Sequence, residues 1–170
     1  IHVPNAQLYA AWLALREAGK AHGLRLFGAR AVESMRLEKG FLHWKSDLLT
    51  EFDPFETGLE RLGRMESADF IGKAALATRK AEGPRRKRVT LQVDCEDRAA
   101  HGGASVMLEG AVVGTVTSGA WGHRTGANIA LAFVKPELAG EGTELALDLL
   151  GELFGARVVD GPLFDPEGLR

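Results

Sequence analysis

Apolar residues in the first 83 positions recur mostly at intervals of three and four, which is the spacing of amphipathic helices. In the first such segment Leu8, Trp12 and Leu15 form the apolar stripe, and Gly19 marks its end. Asp69 is predicted to cap the last helix of the series. Four segments show this spacing and are predicted to be helices: residues 5–19, 28–40, 54–62 and 69–80.

Two segments between these helices lack the helical spacing. Leu24, Leu26 and Phe27 alternate with Arg25, and this alternation predicts a short strand. Residues 41–54 follow no regular period and contain acidic and turn-forming residues, so we predict a long ordered loop. Loops of this kind often carry binding or catalytic residues, which makes this loop the first place to look for a site.

Beyond residue 88 the pattern changes from helix to strand. Val89, Leu91 and Val93 alternate with polar residues, and further short runs are β-branched or alternating and separated by Gly, Pro or charged turns. These runs predict a small β-barrel or β-sandwich lobe. They lie around residues 104–108, 111–117, 128–134, 143–149 and 155–159.

The segment Glu82–Arg88 separates the helical half from the strand half. It contains Gly83 and Pro84 followed by four basic residues. Because this composition breaks the helical pattern and carries charge, it predicts a solvated linker between two lobes. We therefore expect one domain over residues 1–83 and a second over residues 84–170.

The composition limits the classes of protein. With 45% hydrophobic and 26% charged residues over 170 positions, the chain has the composition of a globular domain. A net charge of −2 argues against a nucleic-acid partner, and no apolar run approaches the about 20 residues that cross a membrane. The single cysteine, Cys95, fits a reducing compartment, either the cytoplasm or an organelle matrix, and of these we expect the cytoplasm. The chain starts without methionine or a signal peptide, and we expect an excised part of a longer protein.

Several kinds of catalytic or metal site find no support in the sequence. The five histidines are scattered without the close spacing of zinc ligands, so no metal site is expected. The glycines match neither a Walker A motif nor a dinucleotide-binding fingerprint. Thr117-Ser118-Gly119 precedes no helical pattern, and Cys95 at a predicted strand end is better interpreted as a half-buried hydrophobe. We therefore do not expect a serine or cysteine hydrolase.

Glu38 is a carboxylate at the C-terminal end of a predicted helix. The helix dipole opposes a negative charge at that end, so the residue needs an explanation. One explanation is an ion pair with Lys39, Arg36 or another neighbour. The other is ligand recognition, because a fixed carboxylate can accept two N–H bonds from an aminopyrimidine edge. The residues alone leave both interpretations open.

Five motifs occur in an order and at a spacing that resemble a known family. They are Met35–Phe41, Trp44–Asp47, Pro54–Leu59, Asp69–Leu76 and Gly114–Gly119. Together they resemble the C-terminal half of the glycine-cleavage T-protein, or aminomethyltransferase, family over nearly the whole chain. The motif DFIGK and the tail PLFDPEGLR are similar to the branch that is fused behind a flavin-dependent dimethylglycine or sarcosine dehydrogenase.

The resemblance implies an α+β fold, in which a helical or ferredoxin-like lobe contributes to a central tetrahydrofolate site and is followed by a small antiparallel β-barrel lobe. It implies tetrahydrofolate as cofactor, a small amine as substrate and FAD on a missing N-terminal region of the dehydrogenase branch. Glu38 matches the family's glutamate that binds the pterin through its N–H groups. Asp47 and Glu56 match acidic positions of the family, and Asp47 is a further candidate for folate binding. At both positions a structural role, capping the loop or pairing with a helix, is an equally good explanation. Arg64 is the nearest candidate for a folate-contacting arginine.

The resemblance also implies what this chain lacks. The family's catalytic aspartate belongs to the N-terminal half, so no catalytic residue is expected here and the missing N-terminal domain is an expected partner. The arginine-rich segment after the Pro-x-Glu motif is short, and Leu169 and Arg170 stand where T-proteins have a tyrosine. The resemblance implies the C-terminal part of a tetrahydrofolate-dependent aminomethyltransferase or demethylating amine dehydrogenase, which captures a one-carbon unit from an N-methylated amine or glycine. The alternative is a non-catalytic folate-binding or scaffold module.

Overall fold

The computed structural model describes residues 1–63, 65–67 and 69–169. The chain folds into two compact units, Ile1–Ala31 and Val32–Arg170. The domain boundary between residues 83 and 84 stays a prediction. In the described part of the chain, no helix has the length and apolar character that crossing a membrane requires.

The first unit consists mainly of one helix, α1, which covers Leu8–Gly19 and follows a single 3-10 turn. This confirms the helix predicted over residues 5–19. The strand predicted at residues 24–27 is wrong, because the segment is irregular and the Leu24 N–H bonds back to the Gly19 carbonyl oxygen at 3.0 Å. A strand needs a neighbouring strand for its backbone groups, and the described residues of this unit include none.

Three further helices precede the strands: α2 covers Ala29–Glu38, α3 covers Pro54–Thr57 and α4 covers Lys73–Glu82. The third helix is shorter than predicted because Gly58 adopts a left-handed conformation, with φ at 76°, that ends it. A separate 3-10 turn follows at Glu60–Leu62. The predicted cap Asp69 is wrong, because α4 begins only at Lys73, its cap is Gly72 and no side chain of the described residues bonds to that cap.

The rest of the chain forms six strands: β1 Lys87–Val93, β2 Ser105–Leu108, β3 Ala111–Gly122, β4 Ala127–Val134, β5 Glu144–Leu149 and β6 Glu152–Val159. They pair antiparallel in the order β1-β4-β3-β2-β5-β6, and β1 also pairs with β6, which closes a barrel. This confirms the predicted barrel lobe. β3 exceeds the predicted 111–117 because it continues past a bulge near Val116 and pairs with all of β4.

The predicted linker, residues 82–88, is not simply a solvated connector. Its last two residues belong to β1. The Nε–H of Arg88 donates to the Thr57 carbonyl oxygen at 2.9 Å, and the Arg86 guanidinium carbon lies 4.9 Å from the centre of the Phe52 ring. Burial lowers the pKa of Arg88, although a nearby negative charge partly offsets this effect. The basic run therefore anchors the start of the barrel to α3 and to the loop before it.

The main core fills the barrel, and a second cluster lies on its outer face. All eight residues of β4 are buried, so both faces of this strand are covered. Ala130 and Ala132 belong to the core inside the barrel, whereas Ile129 and Leu131 pack outside it against Leu37 of α2. The α+β class with a barrel lobe is confirmed, whereas the described residues before β1 hold no strand that could form a ferredoxin-like sheet. Inward-facing side chains that are buried include Val89, Leu91, Val106, Val116, Ala130, Ala132, Leu147, Leu149 and Val158.

Leu147 in β5 and Leu153 in β6 form a matched pair of leucines. Leu147 is fully buried, whereas Leu153 is 62% exposed. We predict that Leu147→Ala lowers the free energy of unfolding by about 2–5 kcal/mol, because it removes buried groups and leaves a cavity. Leu153→Ala should change that free energy by less than about 0.5 kcal/mol. Equilibrium denaturation checks both values, and equal losses would contradict the inward orientation of Leu147.

Candidate functional site

The last residue of α2 is held against the turn between β3 and β4. Glu38 is only 3% exposed, and its Oε1 accepts hydrogen bonds from the backbone N–H groups of Arg124 at 2.7 Å and Thr125 at 2.8 Å. The Thr125 hydroxyl donates to the same oxygen at 3.1 Å. One turn earlier in α2, the Ser34 hydroxyl donates to the Trp121 carbonyl oxygen at 2.7 Å. The donors to Oε1 offset the unfavourable end of the helix dipole.

The surroundings of Glu38 leave it little freedom to move. A Cβ on Gly122 would lie 3.0 Å from the Glu38 Cγ and 2.5 Å from the Thr125 hydroxyl oxygen, so the end of β3 requires glycine. The Phe164 N–H donates to the Glu38 carbonyl oxygen at 2.9 Å. The barrel and the C-terminal tail therefore both fix the end of α2.

The second carboxylate oxygen of Glu38, Oε2, accepts no hydrogen bond from the described residues. The two predicted ion-pair partners contact other carboxylates, since Lys39 pairs with Asp165 at 2.5 Å and Arg36 with Asp47 at 2.6 Å. No ion pair of Glu38 occurs in the described part of the chain, so the ion-pair interpretation is wrong. One oxygen of Glu38 is therefore available to a ligand N–H group. The ligand-recognition interpretation expected both oxygens to accept such bonds.

Asp47 lies at the centre of a second network, which joins the loop after α2 to β3. Its side chain is fully buried, and Oδ2 accepts from the Arg36 guanidinium at 2.6 Å and from the His43 N–H at 2.8 Å. Oδ1 accepts from the Thr117 hydroxyl at 2.5 Å, and Arg36 also donates to the Ser118 hydroxyl at 2.6 Å. Both oxygens of Asp47 are occupied, which supports capping of the loop. Direct contact of Asp47 with a ligand stays a prediction.

Glu56, the other acidic residue of the family pattern, completes the capping box of α3, whose cap is Asp53. The Asp53 carboxylate accepts from the N–H groups of Phe55 and Glu56, while Glu56 Oε2 accepts from the Asp53 N–H at 3.2 Å. Its Oε1 is buried, and it lies 3.6 Å from the Arg86 Nε. That separation is too long for a hydrogen bond but gives electrostatic attraction. Glu56 therefore has a structural role in this arrangement.

Arg64, the predicted folate-contacting arginine, lies outside the described residues, and its role stays a prediction. Sequence reasoning did not find Arg124 and Thr125, which hold Glu38 through their backbone N–H groups. Every residue except proline has such a donor, so residue type gives no signal for them. The available signal was Gly126, which adopts a left-handed conformation with φ at 64° and indicates a tight turn here.

The chemistry around these carboxylates suits a ligand that donates hydrogen bonds. Within residues 1–63, 65–67 and 69–169, no group of three His, Cys, Asp or Glu side chains is arranged to hold a metal ion. The polar groups that contact Glu38 and Asp47 are N–H, O–H and guanidinium donors. The arrangement thus presents one unoccupied, negatively charged acceptor at Glu38.

Two models of known protein families match most of the chain. The family model for the GCVT N-terminal domain matches residues 1–67, and that for the glycine cleavage T-protein C-terminal barrel domain matches residues 86–165. Glu38 lies within the first match and its donor Thr125 within the second. The chain therefore belongs to the glycine cleavage T-protein family.

The relatives include dehydrogenases and aminomethyltransferases. The chain is 36% identical over 157 residues to mitochondrial dimethylglycine dehydrogenase of Mus musculus, covering 92% of this chain and 18% of the relative. It is 36% identical over 156 residues to an aminomethyltransferase of Saccharopolyspora erythraea, covering 91% of this chain and 42% of the relative. The crystal structure of glycine cleavage system aminomethyltransferase T from Bartonella henselae superposes with a TM-score of 0.75 at 28% identity, covering 80% of this chain and 38% of that one. The chain thus spans less than half the length of these relatives.

Arg36 contacts two carboxylates that differ in burial. The Asp47 side chain is fully buried, whereas that of Glu33 is 38% exposed. We predict that Asp47→Ala lowers the free energy of unfolding by about 3–5 kcal/mol, because it removes the fully buried partner of the largely buried Arg36 guanidinium. Glu33→Ala should cost less than about 1 kcal/mol, since water screens a partly exposed ion pair. Urea denaturation of the two variants tests the ranking, which a similar small loss in both would refute.

Proposed function

We propose that this chain forms the C-terminal, tetrahydrofolate-binding part of a one-carbon-transferring enzyme. The enzyme is either an aminomethyltransferase or a demethylating amine dehydrogenase of the dimethylglycine and sarcosine type. The observation that carries the proposal is the Glu38 carboxylate, which is buried, fixed through Oε1 by three donors and without a described donor at Oε2. Family membership supports the same function.

The donor and acceptor pattern at Glu38 fits a pterin ring. An aminopyrimidine edge carries N–H donors, and Glu38 Oε2 is a charged acceptor for one of them. Burial strengthens this hydrogen bond because the surrounding dielectric is low. Tetrahydrofolate supplies the nitrogen atoms that take up the one-carbon unit. In this proposal the chain's own residues bind and orient the cofactor, and the turn at Arg124 and Thr125 keeps the carboxylate in one orientation.

The remaining parts of the reaction belong, in this proposal, to regions outside this chain. The N-terminal domain supplies the catalytic aspartate and the contacts to the small amine, and the greater length of the relatives supports this division. FAD, in the dehydrogenase form, binds elsewhere because this sequence carries no dinucleotide-binding fingerprint. Sequence identity is the same, 36%, to the dehydrogenase and to the aminomethyltransferase, so it does not separate the two forms. The cytoplasmic location stays a prediction.

Glu38→Gln in the complete protein tests the assignment of the pterin contact. We expect the dissociation constant for tetrahydrofolate to rise about ten- to a hundredfold, because a hydrogen bond to a charged group contributes about 1.5–3 kcal/mol. Glu82→Gln is a matched control, since Glu82 is also the last residue of a helix, α4, but is exposed. Isothermal titration of both variants gives the comparison.

The outcomes of this titration are distinct. An unchanged dissociation constant in Glu38→Gln would refute the assignment. A lowered denaturation midpoint of that variant would show that its loss of affinity comes from a loss of structure. Product formation from dimethylglycine, sarcosine and glycine with tetrahydrofolate then separates an enzyme from a binding module. Folate binding without product from any of the three amines would favour the module.

A further inference from the structure

A cleft of about 420 Å³ lies between the loop before α3 and the barrel, at the beginning of β3 and the end of β4. Glu38 contacts the opposite end of these two strands, at the turn that contains Thr125. Residues 127–134 of β4 separate the two ends, which corresponds to about 23 Å of extended strand. The cleft is therefore a different place from the proposed pterin contact.

The walls of this cleft carry more positive than negative charge. Arg85, Arg86 and Lys135 line it together with one carboxylate, Glu51. Within the described part of the chain, neither Arg85 nor Lys135 forms an ion pair or a side-chain hydrogen bond. Two unpaired cations that line one concave surface attract an anionic ligand, and a guanidinium can bind a carboxylate or phosphate through two N–H groups.

The third cation, Arg86, is held in place before any ligand arrives. Its guanidinium carbon lies 4.9 Å from the centre of the Phe52 ring, and its Nε lies 3.6 Å from the buried Glu56 Oε1. Phe52 in turn packs on Phe133, with ring centres 4.1 Å apart. Both rings and Val113 line the cleft, so it combines apolar walls with fixed positive charge. A preorganised cation loses less entropy when a ligand binds.

We propose that this cleft binds a small molecule with a dianionic head group and an apolar body, either a phosphate monoester or a dicarboxylate. The volume falls in the range of sites for small ligands, which runs from about 300 to 1,000 Å³. The head group contacts Arg85 and Lys135, and the apolar body packs against Phe52 and Val113. This inference does not depend on folate binding.

Isothermal titration of the complete protein tests the site with four compounds. Phenyl phosphate and phthalate carry both the dianion and the ring, inorganic phosphate lacks the ring, and benzyl alcohol lacks the charge. We expect at least one of the first two to saturate at concentrations below about 10 mM. Inorganic phosphate should bind about tenfold more weakly, because it lacks the apolar contact. Phenyl phosphate alone would identify a phosphate site, and phthalate alone a dicarboxylate site.

Variants show whether binding occurs in this cleft. The double variant Arg85→Gln with Lys135→Gln should weaken binding about tenfold or more. Lys87→Gln, in the same basic run but outside the cleft, should leave binding unchanged. No saturation by phenyl phosphate or phthalate, or equal weakening in Lys87→Gln, would overturn the proposal. Equal affinity for inorganic phosphate would overturn the apolar part, and loss of tetrahydrofolate affinity in the double variant would overturn the separation of the two sites.

Discussion

Two buried carboxylates connect α2 and the loop after it to strand β3 of the barrel. Glu38 and Asp47 are 3% and 0% exposed, and burial of a charge costs several kcal/mol unless donors compensate it. Glu38 draws its donors from the turn after β3, and Asp47 draws one from Thr117 within β3. Helix, loop and barrel must therefore keep one relative arrangement, because any other would leave a charge buried without partners.

This constraint also makes the two oxygens of Glu38 unequal, and the proposed function depends on that difference. The turn at Arg124 and Thr125 occupies only Oε1 of Glu38, so the fold fixes the carboxylate without using all of its hydrogen-bonding capacity. Gly122 contributes by leaving room for the glutamate stem, since a Cβ there would lie 3.0 Å from the Glu38 Cγ. Asp47 differs because both of its oxygens are occupied. The two acidic residues thus differ in role: Asp47 holds the loop, and Glu38 faces the ligand in the proposed function.

Residue spacing predicts most of the secondary structure, because helices and strands bury residues at fixed intervals. The α1 segment and the barrel strands follow from such local patterns. Two of the incorrect predictions concern partners that are distant in sequence. Residues 24–27 alternate like a strand but have no strand beside them, and the basic run at Arg86 and Arg88 packs on Phe52 and Thr57 instead of facing only solvent.

The same distinction applies to the site. The position of Glu38 against the helix dipole, together with its motif, was enough to select it from the sequence. Its true partners are backbone groups 86 and 87 residues away, and no local pattern could replace the predicted ion pair with them. The packing of α2 on the outer face of β4, next to that turn, had to be known first.

The most direct measurement is a crystal structure of the complete protein with bound tetrahydrofolate. The account predicts a pterin N–H donor within about 3.2 Å of Glu38 Oε2, with Oε1 still bound to the Arg124 and Thr125 N–H groups. A pterin bound without contact to Glu38, or an Oε2 that pairs with a side chain of the protein instead, would contradict it.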